Sequence, residues 1–304
     1  MTTGIHTTSD GIKICYEIFG VENNIHPIVL ISGAGLQMLA WPDEFCEFLA
    51  KKVGRVIRFD NRDTGESSIL NHLPTPVPWR FALMHKLGLN VCSPYSLEDM
   101  AIDLIHLLDG LDIEKAHLVG ISLGGMIAQI AAINSNNRVK SLTCIATQAR
   151  NSRHAMPKLK TVFKILRSPK PGRQGYIDWS IDLIRSVGGS AAEGPDDYLR
   201  EMSGKMYDRG ISEDGLNRQV CAVYAAPDRR QALSKISTKT LVIHGAEDPI
   251  ISPDAGREIA TAIPCAKFVL VNGMGHGILR PNWSILIKLI TENVLVAENI
   301  NSRP

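Results

Sequence analysis

The stretch that decides the fold is His117-Leu118-Val119-Gly120-Ile121-Ser122-Leu123-Gly124-Gly125. Its first part is a short apolar run, which is typical of a strand buried on both faces of a parallel sheet. Its last part opens a helical pattern that continues to about Ile133. Between the two lies a serine with a glycine two residues away on either side. Strand, sharp turn and helix in this order predict a nucleophile elbow, in which the hydroxyl of Ser122 projects above the sheet edge at a helix N-terminus.

The same alternation extends on both sides of this stretch. Further strands are predicted at residues 12–16, 28–31, 56–59, 142–146, 240–243 and 267–270. Helical patterns lie between most of them, for example at 41–52, 96–108 and 282–296. This rhythm predicts an α/β fold with a mostly parallel, doubly wound sheet.

The rhythm is interrupted once, between Thr147 and Ser237, where helical patterns occupy residues 158–166, 176–184 and 216–224. We therefore expect a core formed by residues 1–148 and 237–304 and a helical cap formed by residues 149–236. The cap should cover the carboxyl edge of the sheet, where open α/β sheets bind their ligands. Its residues Met156, Trp179, Tyr198, Met202, Met206 and Tyr207 either line an adaptable apolar pocket or form the core of the cap.

Two other segments stay open from the sequence. Residues 67–93 form a long connection that contains three prolines and two aromatic residues, and it is either a surface excursion packed by its own aromatics or a gate over the site. Residues 150–173 contain eight lysines and arginines and no acid. We expect this segment to be the solvated outer face of a cap helix, with a membrane-surface or acidic-substrate role as the alternative.

A serine hydroxyl is a poor nucleophile at neutral pH and needs a base on a loop at the same sheet edge. His276 fits, because it follows the last predicted strand within the glycine-rich run at 272–277. His244 is the competing histidine, but it closes a predicted strand and precedes a tight turn, so we expect it to be structural. His276 is therefore the predicted general base, because of its place after the last strand.

The base in turn needs a carboxylate that fixes its tautomer. The loop after the next-to-last predicted strand offers Glu247 and Asp248. We choose Asp248, because it lies deeper in the loop and Pro249 stiffens the turn, and a role as no more than a solvated neighbour stays open for Glu247. For the oxyanion hole we expect the backbone N–H groups of Leu123 and of Ala34, with that of Gly35 as the alternative to Ala34.

These motifs resemble the α/β-hydrolase-fold serine hydrolases over essentially the whole chain, and among them the branch around aclacinomycin methylesterase. The resemblance is also carried by residues 40–45, 56–65, 225–229 and 273–276. It implies the triad Ser122, Asp248 and His276, a helical cap, and ester hydrolysis on a bulky, largely apolar substrate. One departure is Ser32, where the wider fold often carries histidine. The turn at Asp60–Gly65 is expected to be structural and held by charged pairs.

The function expected from these residues is that of a serine esterase that works through an acyl-enzyme and needs no cofactor or metal. Activity should rise with pH through about 6–7, because the base must be neutral. A C–C bond hydrolase or a lactonase could use the same triad, and a ligand-binding protein without turnover is the alternative of another class. Related dehalogenases and epoxide hydrolases carry aspartate where Ser122 stands, which disfavours their chemistry.

Composition limits the partners. The chain has 304 residues and a net charge of only +2, so we expect no nucleic-acid partner. The resemblance implies a small-molecule apolar ester as substrate. No apolar stretch of about 20 residues occurs, which predicts no membrane insertion. The six cysteines are far apart and show no metal-ligand spacing, and together with the absence of a signal-peptide pattern they lead us to expect a cytoplasmic protein. The sequence leaves homodimer formation open.

Overall fold

The computed structural model describes residues 1–89, 91–151, 161, 164, 169–195 and 197–299. At its centre is an eight-stranded sheet. Its strands are β1 (Thr2–Thr7), β2 (Lys13–Phe19), β3 (Ile28–Ile31), β4 (Val56–Phe59), β5 (Ala116–Ile121), β6 (Val139–Ile145), β7 (Lys239–Gly245) and β8 (Lys267–Val271). They are arranged in the order β1-β2-β4-β3-β5-β6-β7-β8. The pairs β1–β2 and β2–β4 are antiparallel and the other pairs are parallel, which confirms the predicted mostly parallel α/β sheet.

Helices cover both faces of the sheet. They are α1 (Asp43–Val53), α2 (Pro78–Lys86), α3 (Leu97–Gly110), α4 (Leu123–Asn134), α5 (Arg173–Val187), α6 (Asp197–Asp208), α7 (Glu213–Ala225), α8 (Arg230–Leu233), α9 (Pro253–Ala262) and α10 (Trp283–Ala297). Buried side chains of α3, α4 and α9 form the core on one face, and those of α1 and α10 form the core on the other. Because both faces are covered, β3, β4 and β5 are buried along their whole length, although β4 contains Arg58.

Helices α5 to α8 lie between β6 and β7, in the interval where the sequence showed no strand pattern. The predicted helix at 158–166, Met156 and most of the basic segment fall outside the described residues, apart from residues 161 and 164, which are helical. Helix α6 was missed by the sequence analysis. So was α2, which lies in the proline-containing connection and packs against α7. The ring of Trp79 on α2 is exposed, so it does not serve as a buried anchor of that connection.

The register of the parallel strands brings the ends of β5 to β8 to one edge. Ile121 pairs with Ile145, Ile145 pairs with Ile243, and Ile243 pairs with Val269. The residues that follow these four positions therefore emerge in a row. Ser122 follows the first of them, and the loops that carry Asp248 and His276 follow β7 and β8. The sheet itself thus brings the three predicted site residues to the same edge.

A buried ion pair ties this core to the helices between β6 and β7. The guanidinium of Arg218 on α7 donates to both carboxylate oxygens of Asp63, at 2.8 and 2.7 Å. Both side chains are completely shielded from solvent. Asp63 lies in the turn at Asp60–Gly65. In that turn the guanidinium of Arg62 likewise donates to both carboxylate oxygens of Asp103 on α3. The predicted structural turn at Asp60–Gly65 is therefore held by charged pairs, and one of them reaches across to α7.

None of the described helices is long and apolar enough to cross a membrane. All six cysteines are free thiols. Four of them are buried, and Cys92 and Cys265 are exposed.

Replacing Arg218 with alanine should lower the free energy of unfolding by about 3–5 kcal/mol, because the change leaves the carboxylate of Asp63 buried without its partner. Urea unfolding followed by circular dichroism measures the loss. Arg173→Ala is the matched control, since it breaks an exposed two-pronged pair with Asp208, which solvent screens, and it should leave the free energy of unfolding close to that of wild type. Equal losses in the two variants would contradict the structural role assigned to the buried pair.

Candidate active site

Ser122 occupies a strained turn between β5 and α4. Its backbone has φ 54° and ψ −120°, a region that side chains rarely adopt. A Cβ atom on Gly120 would lie 2.2 Å from the carbonyl oxygen of Gly124, so any side chain at position 120 would collide with the start of α4 across the turn. A Cβ atom on Gly124 would instead lie 2.1 Å from the carbonyl oxygen of Ile31 in β3. The first glycine therefore permits the turn, and the second permits α4 to start against the neighbouring strand.

The turn is held from the side of β6. The backbone N–H of Ser122 donates to the carbonyl oxygen of Ile145 at 2.9 Å. The hydroxyl of Thr147 donates to the carbonyl oxygen of Ser122 at 2.6 Å. The loop after β6, which offers no acid, thus supplies a fixing contact to the serine. A threonine two residues beyond a strand carries no motif, so sequence reasoning had no signal for this role.

Asp248 and His276 are hydrogen-bonded to each other. The Nδ1 atom of His276 lies 2.7 Å from Oδ2 of Asp248. The other carboxylate oxygen accepts the backbone N–H groups of Ile250 and Ile251, at 2.8 and 2.9 Å. Burial alone would raise the pKa of the Asp248 carboxyl, but the imidazoles of His276 and His244 outweigh it and hold that pKa well below its usual range. The group is therefore a fixed anion beside a side chain of His276 that is 11% exposed.

His244 lies on the same carboxylate. Its Nε2 atom is 3.0 Å from the carbonyl oxygen of Ile251 and 3.3 Å from Oδ2 of Asp248. Both neighbours are acceptors, so Nε2 must carry the proton. The side chain is fully buried, in agreement with the structural role expected for it. The carboxylate of Asp248 is consequently oriented by two imidazoles and two backbone amides.

Among the described residues, no hydrogen bond joins the Ser122 hydroxyl to His276. The structure thus brings the predicted acid and base into contact and presents the serine at the same sheet edge. The Nε2 atom of His276, on the opposite side of the ring from Asp248, makes no hydrogen bond within the described part of the chain.

The loop after β3 lies directly beside the serine. A Cβ atom on Gly33 would be 3.4 Å from Cβ of Ser122. The N–H of Gly35 donates at 2.8 Å to Oε1 of Gln219 on α7, so it is already engaged. In the described residues the N–H groups of Ala34 and Leu123 have no such partner, which favours Ala34 over Gly35 as the second oxyanion donor.

Gln219 was not identified from the sequence. Its amide nitrogen donates to the carbonyl oxygen of Arg62 and to the hydroxyl of Thr64, at 2.7 and 2.8 Å. With its oxygen on the N–H of Gly35, the buried amide connects α7 to two loops of the core. A glutamine within an amphipathic helix gives no signal that could have revealed this.

Comparison with known proteins adds the family. The family described as alpha/beta hydrolase fold matches residues 26–279. The chain belongs to that family. Rhodomycin D methylesterase DnrP of Streptomyces peucetius is 27% identical over 291 residues, which span 89% of this chain and 91% of that protein. The resemblance inferred from the sequence is thereby confirmed.

Two further similarities cover most of the chain. 3-Oxoadipate enol-lactonase 1 of Acinetobacter baylyi is 23% identical over 273 residues, which span 88% of this chain and 87% of the lactonase. The crystal structure of a hydrolase from Pseudomonas aeruginosa superposes with a TM-score of 0.71 at 22% identity and covers 98% of both chains. That structural similarity establishes the shared fold.

In this α/β-hydrolase the aromatic residues between β6 and β7 pack mainly on one another. The ring of Tyr176 lies 5.7 Å from that of Trp179 and 5.6 Å from that of Tyr207. The ring of Tyr198 meets that of Trp283 edge to face at 6.0 Å. Of the residues considered as pocket lining, Trp179, Tyr198 and Tyr207 therefore contribute to packing.

Besides packing on Tyr176, the side chain of Tyr207 lines a cleft of about 650 Å³, which lies between helices α5 to α7 and the loop at Gly65–Asn71. That cleft is lined by none of Ser122, Asp248 and His276. We therefore do not identify it with the space above the serine.

One group of described residues has the donor types of a metal site. His26, His117 and Glu298 have ligand atoms that all lie within 4.8 Å of one another. These atoms are engaged with each other: Oε1 of Glu298 lies 2.6 Å from Nδ1 of His26 and 2.9 Å from Nε2 of His117. His117 stands near the start of β5, at the opposite end of the strand from Ser122. The group therefore links Glu298, at the C-terminal end of α10, to the amino end of β5, away from Ser122. The expectation that catalysis needs no metal or cofactor stays a prediction.

The same group should make the fold sensitive to acid. Burial lowers the pKa of His117 to about 4, against the pull of the Glu298 carboxylate. An unfolded histidine titrates near pH 6.5, so the unfolded chain binds the additional proton between these values. The contribution of His117 to the free energy of unfolding is therefore complete above about pH 6.5 and is lost as the pH drops toward 4. Glu298, with its pKa lowered to about 2, adds a loss only below about pH 4.5.

The test compares the free energy of unfolding at about pH 7 and about pH 4.5 in wild type and in His117→Gln. The drop should be smaller in the variant by about 3 kcal/mol, because glutamine takes up no proton in either state. His72→Gln changes an exposed histidine and should leave the drop as in wild type. An unchanged drop in His117→Gln would refute the assignment.

Proposed function

We propose that this α/β-hydrolase cleaves a carboxylic ester of a bulky, largely apolar small molecule, with Ser122, His276 and Asp248 as its triad. The observation that carries the proposal is the strained backbone of Ser122 at the sheet edge where Asp248 and His276 are already hydrogen-bonded. A turn of this kind costs about 1–3 kcal/mol and persists where the surrounding structure enforces it. The similarity to a methylesterase over 89% of the chain supports ester chemistry.

In the proposed reaction, Nε2 of His276 accepts the proton of the Ser122 hydroxyl while the serine oxygen attacks the ester carbonyl carbon. Asp248 stabilises the imidazolium that forms, and its acceptor oxygen keeps the proton of His276 on Nδ1. The C–O bond then breaks, and the imidazolium returns its proton to the leaving alcohol. A water molecule, deprotonated by the same imidazole, hydrolyses the acyl-enzyme. The step requires the serine and histidine to come within hydrogen-bond reach, and such contacts often tighten only once substrate is bound.

The negative charge of the tetrahedral intermediate would be received by the N–H groups of Leu123 and Ala34. The first stands at the N-terminus of α4, where unpaired N–H groups favour an anion. The second belongs to the loop that touches Ser122 and is braced by Gln219. One donor of this kind contributes about 3 kcal/mol to stabilising the transition state. A braced loop retains its geometry, so little reorganisation would be needed during the reaction.

We further propose that residues 149–236 act as the cap and select the substrate. Helix α7 contacts the oxyanion loop through Gln219 and the core through Arg218, so this part lies beside the proposed site. A Cβ atom on Gly35 would lie 2.8 Å from Cδ1 of Leu216 on α7, so the cap brings an apolar side chain against the same loop, which fits an apolar substrate group.

One alternative is favoured by a specific observation. The similarity to an enol-lactonase over 88% of the chain fits lactone cleavage, in which the alcohol and the acid belong to one ring. The same triad would perform it through the same acyl-enzyme. C–C bond hydrolysis and ligand binding without turnover have no comparable support.

Ser122→Ala should lower turnover of a p-nitrophenyl ester by about a million-fold, because the nucleophile is lost. A fluorophosphonate probe should label the wild-type serine and leave the variant unlabelled. Ser135→Ala, which alters the serine at the other end of α4, is the control and should retain both ester turnover and fluorophosphonate labelling. A Ser122→Ala rate within tenfold of wild type would exclude Ser122 as the nucleophile.

A panel of p-nitrophenyl esters of increasing acyl length, together with simple lactones, separates the two candidate reactions. We expect kcat/KM to rise with acyl length, as an apolar pocket predicts, and to exceed that of the lactones. Preference for the lactones would favour the alternative.

A further inference from the structure

Two backbone segments meet beside the proposed general base. The N–H of His276 donates to the carbonyl oxygen of Val187 at 2.6 Å, and that of Gly275 donates to Gly188 at 2.9 Å. In return, the N–H of Ala191 donates to the carbonyl oxygen of Gly273 at 2.9 Å. The end of α5 and the residues after it, 187–191, are thus hydrogen-bonded along the loop at 273–276. We call residues 187–191 the brace.

Glycines make this close approach feasible. A Cβ atom on Gly275 would lie only 2.0 Å from the carbonyl oxygen of Val187. Gly189 has φ 69°, and a Cβ atom there would lie 2.9 Å from both the carbonyl oxygen of Gly273 and the N–H nitrogen of Gly275. Both contacts are shorter than a side chain tolerates. The run Gly188-Gly189-Ser190, which resembles an incomplete nucleophile motif, therefore has a different use.

Glu247 fixes the brace to the loop that carries Asp248. Its carboxylate accepts the backbone N–H of Ser190 at 2.7 Å and the hydroxyl of the same residue at 2.8 and 2.9 Å. Its own N–H donates to the carbonyl oxygen of Met274 at 3.0 Å. Glu247 thus contacts the brace with its side chain and the histidine loop with its backbone. Glu247 is exposed, as a solvated neighbour of Asp248 would be, and its carboxylate in addition holds the brace.

We propose that Glu247 is a positioning residue for His276, acting through Ser190 and the brace. The carboxylate holds the brace in place, and the carbonyl oxygens of Val187 and Gly188 in the brace accept the N–H groups of His276 and Gly275. The position of the base therefore depends on the end of α5 as well as on Asp248. The effect on catalysis rests on the proposed function, whereas the effect on the histidine loop does not. Misplacement of a catalytic group by about 1 Å can cost about 100-fold in rate.

The test is Glu247→Ala, with Glu247→Gln as the conservative variant and Glu193→Ala as the matched control on an exposed glutamate just after the brace. Fluorophosphonate labelling gives the reactivity of the serine, and ester hydrolysis gives kcat and KM. Amide hydrogen exchange of residues 272–277 reports the loop directly and needs no substrate. Thermal unfolding shows whether each variant is folded.

We expect Glu247→Ala to lower kcat and the labelling rate about 10- to 100-fold, to leave KM within about twofold, and to speed amide exchange in the histidine loop. Glu247→Gln keeps an acceptor oxygen for Ser190 and should stay within about threefold of wild type. Ser190→Ala removes only the hydroxyl contact, so it should show a smaller effect in the same direction. The double variant should be no worse than Glu247→Ala, because the hydroxyl has already lost its partner.

The outcomes separate the two proposals. An unlabelled wild-type serine overturns the proposed function, while faster exchange in Glu247→Ala still supports the brace. A labelled wild type whose Glu247→Ala variant keeps both the labelling rate and the exchange rate overturns the positioning role alone. Equal losses in Glu247→Ala and Glu247→Gln would assign the effect to charge and also overturn it. If Glu247→Ala does not fold, Ser190→Ala provides the same comparison.

Discussion

The left-handed turn at Ser122 is the constraint on which the rest of this structure depends. A serine at φ 54° is held there because β5 and α4 are fixed by packing on both sides, and α4 is buried over most of its length. This geometry also requires glycine at positions 120 and 124. A Cβ atom on Gly120 would lie 2.2 Å from the carbonyl oxygen of Gly124, and a Cβ atom on Gly124 would lie 2.1 Å from that of Ile31. Backbone groups of β3 and β6 therefore enclose the turn that follows β5 and hold Ser122 at the edge of the sheet.

Around that position, Asp248 is fixed mostly by its own loop, whereas the loops after β3 and β8 are fixed by residues distant in sequence. The acid receives two backbone amides and two imidazoles, which keeps it charged and oriented. The loop after β3 is braced by Gln219, and the histidine loop is bound along residues 187–191. The segment between β6 and β7 consequently contacts both the loop beside Ser122 and the loop that carries His276.

Sequence reasoning predicted the sheet, the elbow and the acid–histidine pair because each leaves a local pattern. Continuous apolar runs identify strands buried on two faces, and glycines flanking Ser122 identify a turn that other residues cannot form. The contacts made by Thr147, Gln219 and Glu247 could not be predicted, since they depend on which loops meet in three dimensions. Helix α2 was missed because prolines just before it indicated a loop, although a proline suits the first turn of a helix.

The buried ion pair between Asp63 and Arg218 limits which helices of another hydrolase can be combined with this core. A chimera that carried these core strands under the lid of another hydrolase would bury an aspartate with no cation opposite it, unless the donor lid brought an arginine to the same place. The penalty of about 3–5 kcal/mol is a large share of the stability of an ordinary domain. Grafting and recombination should therefore succeed when the turn at 60–65 travels together with α7, so that the two segments are inherited as one unit.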